Sequence, residues 1–140
     1  MYKKVLCFIF MASSAVILYS AEGVRTNFNK VAVASVYDGD TFKVYLSCSY
    51  AVFCKAIPIR VKGIDAPEIK TKNPEQKSAA LKAQAFTKNF LNNGKVVLRN
   101  CERDKYFRLL CDVRAEGKNL AEELLKEGLA VPYDGGTKQQ

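Results

Sequence analysis

A chain with no histidine must do its acid–base chemistry with carboxylates, lysine, tyrosine or water. Three short stretches gather such groups. Tyr37-Asp38-Gly39-Asp40-Thr41 sets two carboxylates around a tight-turn signal. Ile59-Arg60-Val61-Lys62-Gly63-Ile64-Asp65-Ala66-Pro67-Glu68 turns Arg60 outward from a strand and ends in two carboxylates. Pro67 fixes its own φ and pushes Ala66 towards extended geometry, so Asp65 and Glu68 leave the strand end on a stiff bend. Asp104-Lys105-Tyr106-Phe107-Arg108 places an aromatic ring and a guanidinium where one strand turns into the next. Carboxylates can move protons and guanidiniums can bind anions. Taken singly, each stretch also has a plain reading: a hairpin turn, a basic turn, or a surface ion pair of Arg60 with Glu68 or Asp65, worth about 0–1 kcal/mol. The missing histidine excludes Ser-His-Asp and Cys-His catalysis and zinc sites with imidazole ligands.

The elements that must position these groups can be read from periodicity. Lys30–Tyr37 and Thr41–Leu46 are rich in β-branched and aromatic residues and flank Asp38-Gly39, a two-residue hairpin signal. Ile57, Ile59 and Val61 alternate with Pro58, Arg60 and Lys62, a half-buried strand, and Gly63 marks a bulge after it. Asn73-Pro74-Glu75-Gln76 starts a helix with a cap, a proline at N1 and a glutamine at N3. Its apolar stripe is Ala79, Ala80, Ala83, Phe86 and Phe90, and Asn93-Gly94 ends it. Lys95–Asn100 and Phe107–Arg114 read as another strand pair. Asn119 caps a last helix with Glu122 at N3, Leu120, Leu124 and Leu125 buried, and Gly128 as its stop. Five short strands and helices without regular βαβ alternation point to an α+β fold, a five-stranded OB-type β-barrel with packed helices.

The 140 residues allow one compact domain. Met1-Tyr-Lys-Lys followed by the uncharged run Val5–Ala21 has the layout of a signal peptide over residues 1–21, with an uncleaved membrane anchor as the alternative. The expected mature domain is 22–140, with its core at about 30–133, secreted or periplasmic and without stable membrane association. Its cysteines are Cys48, Cys54, Cys101 and Cys111. An even count behind an export signal reads as two disulfides. Three pairings are open; Cys48–Cys54 with Cys101–Cys111 is favoured because each closes a short loop. A four-thiolate zinc site lacks the paired C-x2-C spacing. The net charge of +8 becomes +6 without residues 1–21, and residues 55–114 alone carry +8. A basic stripe suggests a polyanion partner, with a merely solvated surface as the alternative.

Taken together and in this order, D-G-D-T, R-x-x-x-I-D-A-P-E and D-K-Y-x-R resemble the staphylococcal nuclease (thermonuclease) family, from about Lys30 to Tyr133. The resemblance implies a Ca²⁺-dependent phosphodiesterase acting on DNA and RNA with little sequence specificity. It implies metal binding by Asp40, Asp65 and the main-chain carbonyl of Thr41, oxygen ligands that suit a hard cation, with Asp38 nearby. Glu68 matches the carboxylate beside the attacking water, and Arg60 and Arg108 match two catalytic arginines. Water attack would break the P–O5′ bond and leave 3′-phosphate ends. Tyr106 and Tyr133 match aromatics beside the nucleotide, and Lys70 and Lys105 are expected phosphate contacts. A preference for single-stranded or frayed substrates, and a monomer, are expected.

Two departures from the family pattern stand out. Phe107 occupies the place of a glycine, where a bulky residue would re-aim the Arg108 loop or narrow the site. The Cys48/Cys54 pair is absent from the staphylococcal type, and a Cys101–Cys111 bond would brace the hairpin carrying Tyr106 and Arg108. The alternative function is a non-catalytic nucleic-acid-binding OB module.

Overall fold

A computed structural model describes residues 26–136. The expected signal peptide over residues 1–21 lies outside the described residues. Nine strands and two helices follow in chain order: β1 (Thr26–Phe28), β2 (Val31–Val36), β3 (Thr41–Leu46), β4 (Ile57–Val61), β5 (Ile64–Asp65), α1 (Pro74–Asn92), β6 (Val96–Arg103), β7 (Leu109–Ala115), β8 (Lys118–Asn119), α2 (Leu120–Lys126) and β9 (Val131–Pro132).

The main sheet runs β1-β6-β7-β4-β3-β2, with β8 added to β7. β4 and β7 are parallel, and the other pairs in this sheet are antiparallel. β1 and β2 are separated by two residues, yet they stand at opposite edges of this order. Two edges so close in the chain can be reached only if the sheet curls on itself, and β2 indeed packs against β6. The result is the α+β, OB-type fold expected. Its long strands β2, β3, β4, β6 and β7 are the five read from sequence. β1 was not foreseen, and β5, β8 and β9 are two-residue bridges too short to carry a pattern.

Alternation decides what fills the interior. Phe42, Val44, Ile59, Val61, Leu98 and Val113 point inward and are fully buried or nearly so, and Leu120 and Leu124 of α2 close one side. On α1 the deepest residues are Ala80, Ala83, Thr87 and Leu91. Phe86 and Phe90 of the expected stripe are only partly buried against the core. A buried threonine in mid-helix needs a partner, and Thr87 Oγ1 donates to the Gly39 carbonyl at 2.6 Å.

The helix starts fall where the caps were read. Asn73 Oδ1 accepts from the N–H groups of Glu75 and Gln76 at 2.9 and 3.3 Å. The return half of the capping box is relayed: Thr71 Oγ1 donates to Gln76 and accepts from the Asn73 N–H. Asn119 caps α2 through Ala121 N–H at 2.9 Å. Gly128 at φ 67° ends it, with Gly128 N–H on Leu125 and Leu129 N–H on Leu124, the paired bonds of a Schellman motif.

Two details of the strand connections differ from expectation, and both serve position. The β2–β3 connection holds four residues, Tyr37 to Asp40, instead of a two-residue turn. Tyr37 and Asp38 N–H both return to the Thr41 carbonyl. Gly39 is needed here for space: a Cβ would come within 2.7 Å of the Ala83 Cβ and 2.8 Å of the Ala66 Cβ. We therefore expect Gly39→Ala to cost about 1–3 kcal/mol, the range of an overpacked core, as read by urea unfolding. A loss under 0.5 kcal/mol would mean that the loop shifts freely on α1.

The second detail is a bulge. Between the pairs Arg99↔Asp112 and Glu102↔Leu110, two residues, Asn100 and Cys101, oppose Cys111 alone. Asn100 takes φ 49°, a conformation asparagine tolerates better than most. Its side chain donates to Asp112 Oδ2 at 2.7 Å. A bulge bends the strand beyond it, here the tip that carries Tyr106 and Arg108. The Cys101–Cys111 disulfide lies across this bulge, with Cα atoms 4.3 Å apart. Closing so short a loop contributes about 2–3 kcal/mol by loop-closure entropy. Cys48–Cys54 closes the β3–β4 connection, with Cα atoms 6.3 Å apart. Both favoured pairings are thus present.

Candidate active site

The centre of the site is a buried ion cluster built by three neighbouring elements. Asp40 ends the β2–β3 loop, Arg60 lies on β4 opposite Thr41, and Asp65 ends β5. Arg60 Nη1 pairs with Asp40 Oδ2 at 2.6 Å, and Nη2 pairs with Asp65 Oδ1 at 2.9 Å. One guanidinium therefore bridges two carboxylates, using its planar fork. Arg60 is 8% exposed and Asp40 4%. Asp40 is fixed further: Oδ2 accepts from the Ala66 N–H at 2.6 Å, Oδ1 accepts from Thr41 Oγ1 at 3.0 Å, and its carbonyl accepts from the Val61 N–H. The loop itself is clamped by α1, where Gln84 Nε2 donates to the Val36 and Tyr37 carbonyls beside the Thr87 contact.

Asp38 is also buried, and its Oδ1 accepts from the Asp40 N–H at 3.3 Å. Loss of solvent, then the neighbouring Asp40 carboxylate, pushes its carboxyl up to about 6. The Thr41 carbonyl, expected as a metal ligand, accepts the Tyr37 and Asp38 N–H groups at 2.9 and 3.2 Å. The Thr41 hydroxyl donates to Asp40 Oδ1.

Arg108 reaches the cleft from the β6–β7 tip. Asp104 organises that tip: Oδ1 accepts from the Tyr106 and Arg108 N–H groups at 2.8 and 2.9 Å, and Oδ2 from Arg108 Nε at 2.8 Å. Partial burial raises the Asp104 carboxyl, but the bonds and charge of Arg108 and the Tyr106 N–H outweigh it and hold the group below its ordinary value. The Asp104–Arg108 spacing was visible in the motif, yet a role for Asp104 was not read from it. Phe107 sits in the left-handed region at φ 62°, which explains why glycine suits this place. The conformation costs about 1 kcal/mol or more for a residue with a Cβ. Its ring does not narrow the cleft. It is 74% exposed and lies 5.8 Å from the Arg103 guanidinium, outside the cleft lining.

These groups share one cleft of about 1000 Å³. It is lined by Asp40, Thr41, Arg60, Asp65, Glu68, Lys105, Tyr106, Arg108 and Tyr133, so nearly every candidate residue is brought together. Lys70 is the exception. It lies outside the lining, with Nζ 5.9 Å from the Tyr37 ring. Tyr133 is anchored by its N–H on the Gly63 carbonyl and its hydroxyl on the Gly136 carbonyl. The charge of the cleft differs from that of the chain. Seven carboxylates face it against two arginines and two lysines. The basic excess of residues 55–114 therefore does not set the sign at the cleft, where the carboxylates predominate.

An anionic cleft with two fixed carboxylates side by side suits a hard divalent cation, which takes carboxylate oxygens and completes its shell with water. Among the described residues no group of three or more acidic, histidine or cysteine side chains stands in a metal-binding cluster. A cation in this cleft would find protein oxygens on the Asp40 and Asp65 carboxylates, which meet on Arg60.

The sequence pattern of staphylococcal nuclease homologues matches residues 58–140. The chain belongs to this family. Arg60, Asp65, Glu68 and Arg108 lie inside the matched stretch, while Asp40 precedes it. Endonuclease YncB of Bacillus subtilis is 37% identical over 114 residues, covering 77% of this chain and 51% of that protein. The SPbeta prophage-derived endonuclease YokF of the same organism is 37% identical over 114 residues and is covered over 36% of its length. The probable endonuclease C19F8.04c of Schizosaccharomyces pombe is 29% identical over 126 residues, covering 74% of this chain and 55% of that protein. The chain thus spans between about a third and about half of these relatives. As a member of the staphylococcal nuclease family, it carries the family's OB-type sheet and helices, and it holds two disulfides.

Proposed function

We propose that this protein is an exported, Ca²⁺-dependent phosphodiesterase that hydrolyses DNA and RNA with little sequence selectivity and prefers single strands. The observation that carries this reading is the convergence of Arg60, Glu68 and Arg108 on one cleft beside the paired carboxylates Asp40 and Asp65. The relatives' names, all endonucleases, support it. Asp40 and Asp65 would hold Ca²⁺, which supplies a template and Lewis acid for the phosphate and offsets the negative cleft. Glu68 takes a proton from the attacking water; no histidine is there to do so. Arg60 and Arg108 hydrogen-bond the phosphoryl oxygens as charge builds on the pentacoordinate phosphorus. The bond broken is P–O5′, leaving a 3′-phosphate on one product and a 5′-hydroxyl, protonated from solvent, on the other. Tyr106 and Tyr133 offer faces to bases, and Lys105 meets a phosphate, contacts that any base sequence can make. Export is supported by residues 1–21 and by two disulfides, which persist in oxidising compartments. No described helix is long and apolar enough to cross a membrane.

The purified protein with both disulfides formed is expected to cleave single-stranded DNA and RNA in Ca²⁺ and to leave both intact in EGTA. A folded protein that cleaves neither in Ca²⁺ refutes the enzyme reading. If it still retains single strands in a salt-sensitive way, it is a binding module on the same barrel.

A further inference from the structure

Tyr37 is an exposed aromatic beside the cleft that the reaction described above does not use. It directly precedes Asp38, and Lys70 follows two residues after Glu68; Asp38 and Glu68 both line the cleft. The Tyr37 ring is 47% exposed, with Lys70 Nζ 5.9 Å from its centroid. On the other hairpin the same pair of residue types recurs: Lys105 Nζ stands 5.2 Å from the Tyr106 ring. The sheet order puts these two pairs on opposite sides of Arg60. Tyr37 belongs to the β2–β3 end, Tyr106 to the β6–β7 end, and β4 with Arg60 lies between β3 and β7.

The backbone of Tyr37 is fixed on both sides. Its N–H donates to the Thr41 carbonyl at 2.9 Å, and its carbonyl accepts from Gln84 Nε2 at 2.9 Å. A ring carried on a fixed backbone and half open to water offers a surface for another flat group. The lysine contact lies near the outer limit for a cation–π interaction, so little is lost when the ammonium swings to a phosphate.

We propose that Tyr37 is a stacking platform for an unpaired base on the opposite side of the scissile phosphate from Tyr106, with Lys70 on the adjoining phosphate. The site would then grip at least two nucleotides, one on each side of the cut. This rests on the nuclease reading above.

The test compares a single-stranded hexanucleotide with a mononucleotide methyl ester, whose methyl group offers no face to stack. In Tyr37→Leu, KM for the hexanucleotide is expected to rise about 5- to 10-fold more than KM for the ester, the size of one base–aromatic stack. Tyr37→Phe, which keeps the ring, should recover most of that difference, and Lys70→Met should lower the salt slope of hexanucleotide binding by about 0.7. Equal KM changes for the two substrates, or Phe behaving like Leu, would overturn the platform. Binding of a labelled hexanucleotide in EGTA, followed by fluorescence anisotropy, separates the two readings. If the wild type cleaves nothing but binds several-fold tighter than Tyr37→Leu, the platform stands and the nuclease reading falls. If both proteins bind equally, the platform falls whatever the activity.

Discussion

Replacing Arg60 by methionine is expected to lower kcat/KM for single-stranded DNA by about a thousandfold or more and stability by about 3–5 kcal/mol. The two losses have one origin. Arg60 is buried and its two guanidinium nitrogens each meet a different carboxylate. Removing it leaves Asp40 and Asp65 facing each other in a site already rich in acid groups, so the folded state loses its internal counter-charge. The same guanidinium is the donor proposed to stabilise the pentacoordinate phosphorus. Arg60→Lys separates the effects. It returns the charge but not the planar fork, so urea unfolding should show stability partly regained, with cleavage still low. Rates are compared at a temperature where circular dichroism shows each variant folded. A methionine variant that keeps a tenth of the activity would remove Arg60 from the reaction.

Changing Glu68 to glutamine should do the reverse: a large loss of rate with little loss of fold. General-base catalysis is worth about 10²–10⁴-fold, and glutamine keeps the shape of the side chain without its basicity. Glu68 is exposed and follows Pro67 on the segment between β5 and α1. Exposed substitutions of this kind usually stay within about 0.5 kcal/mol. Single-turnover cleavage in Ca²⁺ measures the rate, and thermal unfolding controls for the fold. A variant with a rate within threefold of wild type would show that some other group takes the proton.

Much of this site was legible because its geometry is local. Pro67 restricts its own φ and its neighbour's ψ, so Ile64-Asp65-Ala66-Pro67-Glu68 announces a stiff bend with two carboxylates before any partner is known. Asn73 and Asn119 announce their helices for the same reason: a cap bonds N–H groups two or three residues away. The short disulfide loops belong here too, since both pairings join cysteines that are close in the chain.

What the sequence determined by itself was therefore the five long strands, the two helices and three short motifs, each written within about ten positions, while the order of those motifs along the chain carried the family resemblance that implied the site. Tertiary structure alone decided who faces whom. Arg60 reads equally well as a surface ion-pair partner, and only the meeting of the β2–β3 loop, β4 and β5 makes it a buried bridge. Gly39 reads as a turn glycine, whereas its place is set by Ala83 of a helix more than forty residues on. The Thr41 carbonyl turns into its own loop because Tyr37 and Asp38 supply donors that no spacing rule reveals. The sign of the cleft was hidden as well. Net charge sums over the chain, but field at a site depends on distance, and folding brings seven carboxylates to one cleft while much of the basic excess lies elsewhere.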